Sequence, residues 1–380
     1  MKIAILTQPL HANYGGLLQN YALQQTLIRM GHDPVTLDWA MPYDFKYKLS
    51  KIKAKVSSLF FQDKNKAHYE LNRKEKSIIQ QNTEYFISKY IQHTSTIKSS
   101  REFLKQSVVG GYQAYVVGSD QCWRPGYNYF LHEMFLSFLT DLEVKRIAYA
   151  ASFGTDIWEF NKSQTADCST LAKKFNMVTV REDSGVDLCR KYLGIDAVHV
   201  LDPTLLLSKH DYIRLITEEN EPKSNGSLFY YVLDPDSKKK AFIESVSEKM
   251  GLTPFSIMPR YQAETRTKEI VKTKIESCIF PSVTLWLRAF LDAEMTIVDS
   301  FHGMVFSIIF NKPFWVIGNP TRGMSRFTSL LKIFNLEDRL ININSIDQVD
   351  LKKNIDWNMV NACVDNYRHK SLELLRKSLL

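Results

Sequence analysis

The chain has 380 residues, of which 44% are hydrophobic and 24% charged, and it carries a net charge of +8. This is too long for one ordinary core, so two domains are expected, and too apolar for a disordered chain. No apolar run approaches the roughly 18 residues that span a bilayer. Five scattered cysteines without CxxC spacing argue for a reducing compartment, and against a zinc site or a disulfide framework.

The run KIAILT at 2–7 reads as a strand buried on both faces. No cleavage pattern follows it, so it is expected to be a first strand and not a signal peptide. A loop at 8–16 and a helical stripe from Leu17 to Ile28 come next, ended by Gly31, and then a strand at 35–38. A β-loop-α-β opening marks a doubly wound α/β sheet.

A basic segment interrupts this alternation. Residues 45–76 hold ten Lys/Arg against Asp63, Glu70 and Glu75, which leaves +7 of the chain's +8 in one stretch. Leu49, Ile52, Val56, Leu59 and Phe60 recur within it at helical spacing. The segment is either a basic amphipathic helix lying on an anionic membrane surface or a solvated helix packed on its own domain. A nucleic-acid partner is not expected, because the run lacks a recognition module.

Strands are then expected at 115–117, 146–152, 177–181 and 197–200, with a helix at 183–193. The pattern weakens after Pro203, and EENEPKSNG at 218–226 is rich in breakers. The domains are therefore placed at 1–205, with a helical insert at about 42–95, and at 227–345. A linker region at 206–226 joins them, and a helical tail follows at 346–380. The second domain opens with a strand at 227–233, a helix at 237–250 and a strand at 253–257. A helix at 283–293 feeds a strand at 295–298, the turn Asp299-Ser300-Phe301-His302-Gly303, a helix at 304–310 and a strand at 314–317. The expected fold class is α/β, with two Rossmann-like domains facing each other across a cleft.

Ligands of open α/β sheets bind beyond the carboxyl ends of the strands, so polar residues at those positions are the candidates. Asn13, Gly15 and Gly16 open the first helix, where backbone N–H groups favour an anion; Gly-Gly is also ordinary turn chemistry. Asp120 either handles a sugar-hydroxyl proton or caps a helix. Beside it stand Ser119 and Trp123, the latter stacked on a sugar face or buried. Arg181 offers a fork for carboxylate or phosphate, or a structural salt bridge with Glu182 or Asp183. Asp202 also lies just past a strand end. His302 is the first candidate for acid–base work or for donating to an anion, and Ser300 and Gly303 share its anion-favouring turn. Arg322 and Arg326 follow the next strand. His11 and His32 read as surface residues. No ligand spacing around His302 suggests a metal.

Taken in order, NYGGLLQNYALQQ (13–25), VVGSDQCW (116–123), AYAASFG (148–154), VREDSG (180–185), LDPTLLL (201–207), DSFHGMVFSIIFNKPF (299–314) and GNPTRGMSRFTSLL (318–331) resemble the polysaccharide pyruvyl transferase family. The resemblance implies a fold similar to B-type glycosyltransferases. It also implies transfer of the enolpyruvyl unit of phosphoenolpyruvate onto a sugar of a capsule or exopolysaccharide, or onto its lipid-linked precursor, as a pyruvate ketal. The family's donor-contacting His and Arg correspond to His302 and Arg181. Members carry an arginine two residues before the histidine, where this chain has Ser300; Arg322 and Arg326 are the nearest replacements. Asp120 then becomes the expected base, Asn13, Gly15, Gly16, Ser300 and Gly303 part of the donor site, and Ser119 and Trp123 part of the acceptor site. No cofactor beyond the donor is implied, and the expected location is the cytoplasm, at the inner membrane face if the basic segment docks there. The alternatives are a B-type glycosyltransferase using a nucleotide sugar, and a non-catalytic protein that binds polyanions or membranes.

Overall fold

A computed structural model describes residues 1–40, 69, 71–139, 143–262, 265–318, 323–343 and 349–380. Most of the basic segment at 45–76 and Arg322 lie outside these residues, and with them the membrane contact expected of the former and the donor contact expected of the latter.

The N-terminal half runs β1 (Lys2–Leu6), α1 (Tyr14–Arg29), β2 (Asp33–Thr36), α2 (Arg73–Tyr90), α3 (Ser100–Gly110), β3 (Ala114–Val117), β4 (Lys145–Ala151), α4 (Lys162–Ala172), β5 (Met177–Val180), α5 (Asp183–Leu188) and β6 (Val198–His199). Its six strands pair in the order β2-β1-β3-β4-β5-β6, all parallel. A helix α6 (Lys209–Glu218) follows. The C-terminal half runs β7 (Leu228–Tyr231), α7 (Ser237–Met250), β8 (Pro254–Phe255), α8 (Lys268–Thr273), α9 (Val283–Asp292), β9 (Met295–Val298), α10 (Phe301–Ile309), β10 (Phe314–Ile317), α11 (Ser325–Ile333), β11 (Leu340–Ile341) and α12 (Trp357–Leu379). Its five strands pair in the order β11-β10-β9-β7-β8, again all parallel. The central strands are apolar runs because helices cover both faces of each sheet.

Each sheet reverses its winding once. In the first, β1 leads to β2 on one side and to β3 on the other; in the second, β7 leads to β8 on one side and to β9 on the other. A doubly wound sheet opens a crevice at such a reversal, beyond the strand ends. Residues following β1, β3, β7 and β9 all line one cleft, so the two crevices face each other.

The two halves share a core. Tyr14, Leu17 and Leu18 of α1 belong to one buried cluster with Trp286 and Phe290 of α9 and with Met304 and Phe306 of α10. Tyr14 stacks on Trp286 with ring centroids 5.6 Å apart, and its hydroxyl donates to the Pro281 carbonyl at 2.8 Å. Each such ring is worth roughly 1.5–3 kcal/mol when fully buried.

The stretch read as a linker is more ordered than its composition suggests. Ser208 caps α6 together with Asp211, and Tyr212, Leu215 and Ile216 enter the same shared core. The final helix α12 crosses back to the N-terminal half, where Leu375 and Leu379 pack with Ile3 and Ile5. Ser371 Oγ there accepts from Leu201 N at 3.2 Å.

Candidate active site

The turn after β9 has only two residues outside regular structure. Ser300 adopts extended backbone and its hydroxyl accepts from Gly303 N at 3.0 Å, so α10 starts at Phe301. The apolar periodicity alone predicts a start at 304, because it is blind to a serine cap. His302 therefore stands in the first turn of the helix and not before it. Every residue of α10 is buried, which holds the imidazole on a rigid post.

The turn after β1 is longer, and it ends at Asn13, whose side chain accepts from Gly16 N at 3.2 Å and caps α1. The two helices meet N-terminus to N-terminus. A Cβ on Gly15 would overlap the ring of His302 at Nδ1, so glycine is required for this close approach. The cleft formed there has a volume of about 270 Å³ and is lined by Asn13, Gly15, Asp120, Ser300, His302 and Arg326 among the expected residues. Gln8, His11, Gln121, Tyr127, Tyr231, Leu233, Asp299 and Phe301 also line it.

Behind the cleft lies a buried charge cluster centred on Arg181. Its guanidinium, 1% exposed, meets Asp202 Oδ2 at 3.0 Å, Glu182 Oε1 at 3.5 Å and Asp120 Oδ1 at 3.6 Å. Burial lowers its pKa, but Asp202, Glu182 and Asp120 more than offset this and raise it. Asp202 also accepts from Ser119 Oγ at 2.8 Å, from Thr204 N at 3.0 Å and from Thr204 Oγ1 at 2.7 Å. Burial pushes the Asp202 carboxyl up, while His302, Arg181 and Thr204 outweigh it and hold it well below the usual carboxylate range. His302 Nε2 lies 3.7 Å from Asp202 Oδ2, an ion-pair distance beyond hydrogen-bond reach, and has no hydrogen-bond partner among the described residues.

Several expectations change here. Arg181 is a structural hub that does not line the cleft, since three carboxylates enclose it. Ser119 is wholly buried, with its hydroxyl committed to Asp202, so it offers nothing to a sugar. Trp123 is wholly buried too: its indole N–H donates to the Met134 carbonyl at 3.0 Å and its ring stacks on Phe135 at 4.7 Å. Acceptor stacking is closed to it. The backbone N–H groups of Gly16 and Gly303 are spent on their helix caps.

Asp120 does line the cleft, in the left-handed region at φ 72°. Asp tolerates that conformation better than most residues, and such outliers cluster at functional sites. Burial raises its pKa, yet Arg181, His302 and Arg326 together bring it below the ordinary value. Arg326 shows the converse. Burial, then the neighbouring Arg181, lowers its pKa to about 10. The Phe301 ring lies within cation–π range of both guanidiniums, 4.4 Å from Arg181 and 5.9 Å from Arg326.

The opposite wall is braced by a second buried pair. Asp299 accepts from Leu233 N at 2.7 Å, Asp234 N at 3.1 Å and Lys239 Nζ at 2.8 Å. Sequence reasoning overlooked His11, because a histidine in a loop carries no signal of which way the loop folds. The bracing role of Asp202 was equally hidden, since its partners lie 21 and 100 positions away.

Chemically, the cleft offers two helix N-termini, a buried guanidinium and an imidazole to an anion, with Tyr and Gln side chains for hydroxyl groups. A family model for polysaccharide pyruvyl transferase matches residues 13–321 of the chain. No curated protein matches it. Among solved structures, the chain is similar to UDP-GlcNAc 2-epimerase from Neisseria meningitidis bound to UDP-GlcNAc, with TM-score 0.51 and 10% identity over 99% of this chain and 100% of that one. It is similar also to the UDP-GlcNAc 2-epimerase of Methanocaldococcus jannaschii in complex with UDP-GlcNAc and UDP (TM-score 0.51, 12% identity, 97% of this chain and 100% of that one). Likeness at such identity shows the fold alone: two Rossmann-like domains as in B-type glycosyltransferases, which is the expected fold class.

Proposed function

The chain belongs to the polysaccharide pyruvyl transferase family, and from that premise we propose that it moves the enolpyruvyl unit of phosphoenolpyruvate onto a sugar of a surface polysaccharide or its lipid-linked precursor. The enzyme is a transferase. The observation that carries the donor assignment is the convergence of the α1 and α10 N-termini, His302 and Arg326 on one cleft. Phosphoenolpyruvate brings a carboxylate and a phosphate. A buried guanidinium whose charged form is disfavoured by burial and by Arg181 gains from such an anion.

In this reading His302 protonates the methylene carbon of the donor. C2 becomes cationic, and a sugar hydroxyl adds to it with loss of its proton. The C2–O bond to phosphate then breaks, the electron pair leaving with phosphate, and a second hydroxyl closes the ketal ring. One hydroxyl proton replaces the one His302 gave to the methyl group, and the other leaves on phosphate. Enclosure between the two domains keeps water from the cationic carbon. Arg181 and Asp202 act from behind, Arg181 through its ion pair with Asp120 and Asp202 through its negative charge beside His302. The reaction as written needs no cofactor beyond its donor.

The basic segment at 45–76 would dock the enzyme on an anionic membrane face, where lipid-linked acceptors reside. Among the described residues no helix is long and apolar enough to cross a membrane.

The test is a thermal-shift series with phosphoenolpyruvate and a panel of nucleotide sugars, followed by mass spectrometry of the acceptor. Stabilisation by phosphoenolpyruvate and an acceptor heavier by one pyruvate ketal are expected. Stabilisation by a nucleotide sugar alone would transfer the site to glycosyl chemistry.

A further inference from the structure

Adding a sugar hydroxyl to C2 requires something to take its proton, and the described residues lining the cleft include few groups able to do so. Asp299 is committed to two backbone N–H groups and to Lys239. Asp120 faces Arg181, Arg326 and His302, and accepts from Gln121 N at 2.9 Å. A carboxylate so surrounded by positive charge is a weak base. Tyr127 and Tyr231 carry phenols, which are acids rather than bases near neutral pH. His302 is occupied with delivering a proton to the donor.

One group remains. His11 lies on the loop between β1 and α1 and is, with His302, one of two imidazoles lining the cleft among the described residues. Its backbone is pinned, because its carbonyl accepts from the amide of Asn13, the cap of α1, at 2.8 Å. Its side chain is solvent-exposed and yet ringed by cleft-lining protein. Two charged groups act on it: Lys76 from α2 and Asp120 from the loop after β3. Enclosure by protein, then Lys76, lowers the imidazole's pKa, against the opposing pull of Asp120. The ring is thus mostly neutral near pH 7 and presents a lone pair. His11 also falls just outside the residues the family model matches, 13–321.

We propose that His11 is the general base that accepts the proton of the attacking sugar hydroxyl, paired across the cleft with His302 as the general acid. This inference rests on the pyruvyl-transfer reading above. In the addition step the O–H bond of the sugar breaks and its electron pair becomes the new C–O bond to C2. The proton passes to a ring nitrogen of His11. His11 returns that proton to the departing phosphate, and so is ready to take the second proton at ring closure; His11 then releases that proton to solvent, and His302 takes one up from solvent, which resets both groups.

The test measures kcat with phosphoenolpyruvate and acceptor between pH 5 and 9 for wild type, His11→Ala and His11→Gln, with donor affinity read separately by thermal shift. Loss of a general base costs on the order of 100-fold in kcat, so a fall of about that size is expected with donor affinity unchanged. Wild-type activity should decline as pH falls through the His11 pKa, below 6.5. That acidic limb should disappear in both variants, and added imidazole should restore part of the activity of His11→Ala. Variants that keep kcat within about twofold and retain the acidic limb would overturn the role of His11 while leaving the pyruvyl-transfer reading intact. Absence of wild-type turnover with phosphoenolpyruvate would remove that reading, and this inference with it. His11→Gln keeps size and polarity, so it decides the matter should His11→Ala lose its folded circular-dichroism signal.

Discussion

Both walls of the cleft end a buried parallel strand, turn, and start a helix capped by a side chain: Asn13 on α1 and Ser300 on α10. Yet they do different things. The turn after β9 spans only residues 299–300 and leads into a helix buried at every position, so His302 has almost no freedom. The turn after β1 spans 7–13 and leaves His11 reachable from solvent. Their foundations differ too. The N-terminal wall rests on one guanidinium shared by three carboxylates, while the C-terminal wall rests on the Lys239–Asp299 pair and two backbone N–H groups. A strand-turn-helix unit sets where a side chain can stand. Turn length and the charges behind it set what that side chain can do.

The largest effect should come from the foundations. Arg181→Ala strands three carboxylates, and removing one partner from a buried ion cluster costs about 3–5 kcal/mol. Lys239→Ala also breaks a buried ion pair, but it leaves one carboxylate, Asp299, with its two N–H donors, so the loss should fall at the low end of that range, about 3 kcal/mol. Urea titration of both variants compares the walls directly; equal losses would erase the difference drawn between them.

Next comes chemistry. His302→Ala should lower kcat by about 10²–10⁴-fold and still fold, with a modest loss of melting temperature for the buried imidazole beside Asp202. An unfolded variant would assign His302 to structure, and a folded, fully active one would exclude it from the mechanism.

A pH effect of intermediate size follows from Asp202. Its folded pKa lies below the ordinary value of about 3.9. Its ionised form therefore stabilises the fold fully above about pH 5, and that contribution is lost progressively as pH falls below it. Melting temperature should drop between pH 5 and 3 in wild type, and less steeply in Asp202→Asn. Parallel slopes would place the acid-sensitive group elsewhere.

The smallest effect is expected at Trp123. Trp123→Phe should cost about 1 kcal/mol for the lost bond to the Met134 carbonyl and leave the acceptor KM unchanged. A raised KM with unchanged stability would return Trp123 to the acceptor site.

Much of this molecule is legible in its sequence. Apolar runs bounded by turn residues locate β9, β10 and α7 to the residue. Elsewhere, element ends slip by a few positions where a cap decides them, as at Ser300. The helix α6 fell inside the region read as a linker, ahead of the breaker-rich 218–226, because its stability comes from Tyr212, Leu215 and Ile216 entering a core shared by both halves. Gly15 was visible as a turn glycine, but its need for the ring of a residue 287 positions away was not.

By itself, then, the sequence determined two doubly wound sheets, the strand ends where a ligand would sit, and His302 as the first candidate. These follow from local periodicity and turn chemistry, which a few neighbouring residues specify. Only the tertiary structure decided which polar side chains face the cleft. It turned Arg181, Ser119 and Trp123 inward, brought His11 to the wall, and set Asp202 between Arg181 and His302. The reason is physical: burial and charge pairing depend on contacts between residues far apart in the chain, and no short window of sequence encodes them.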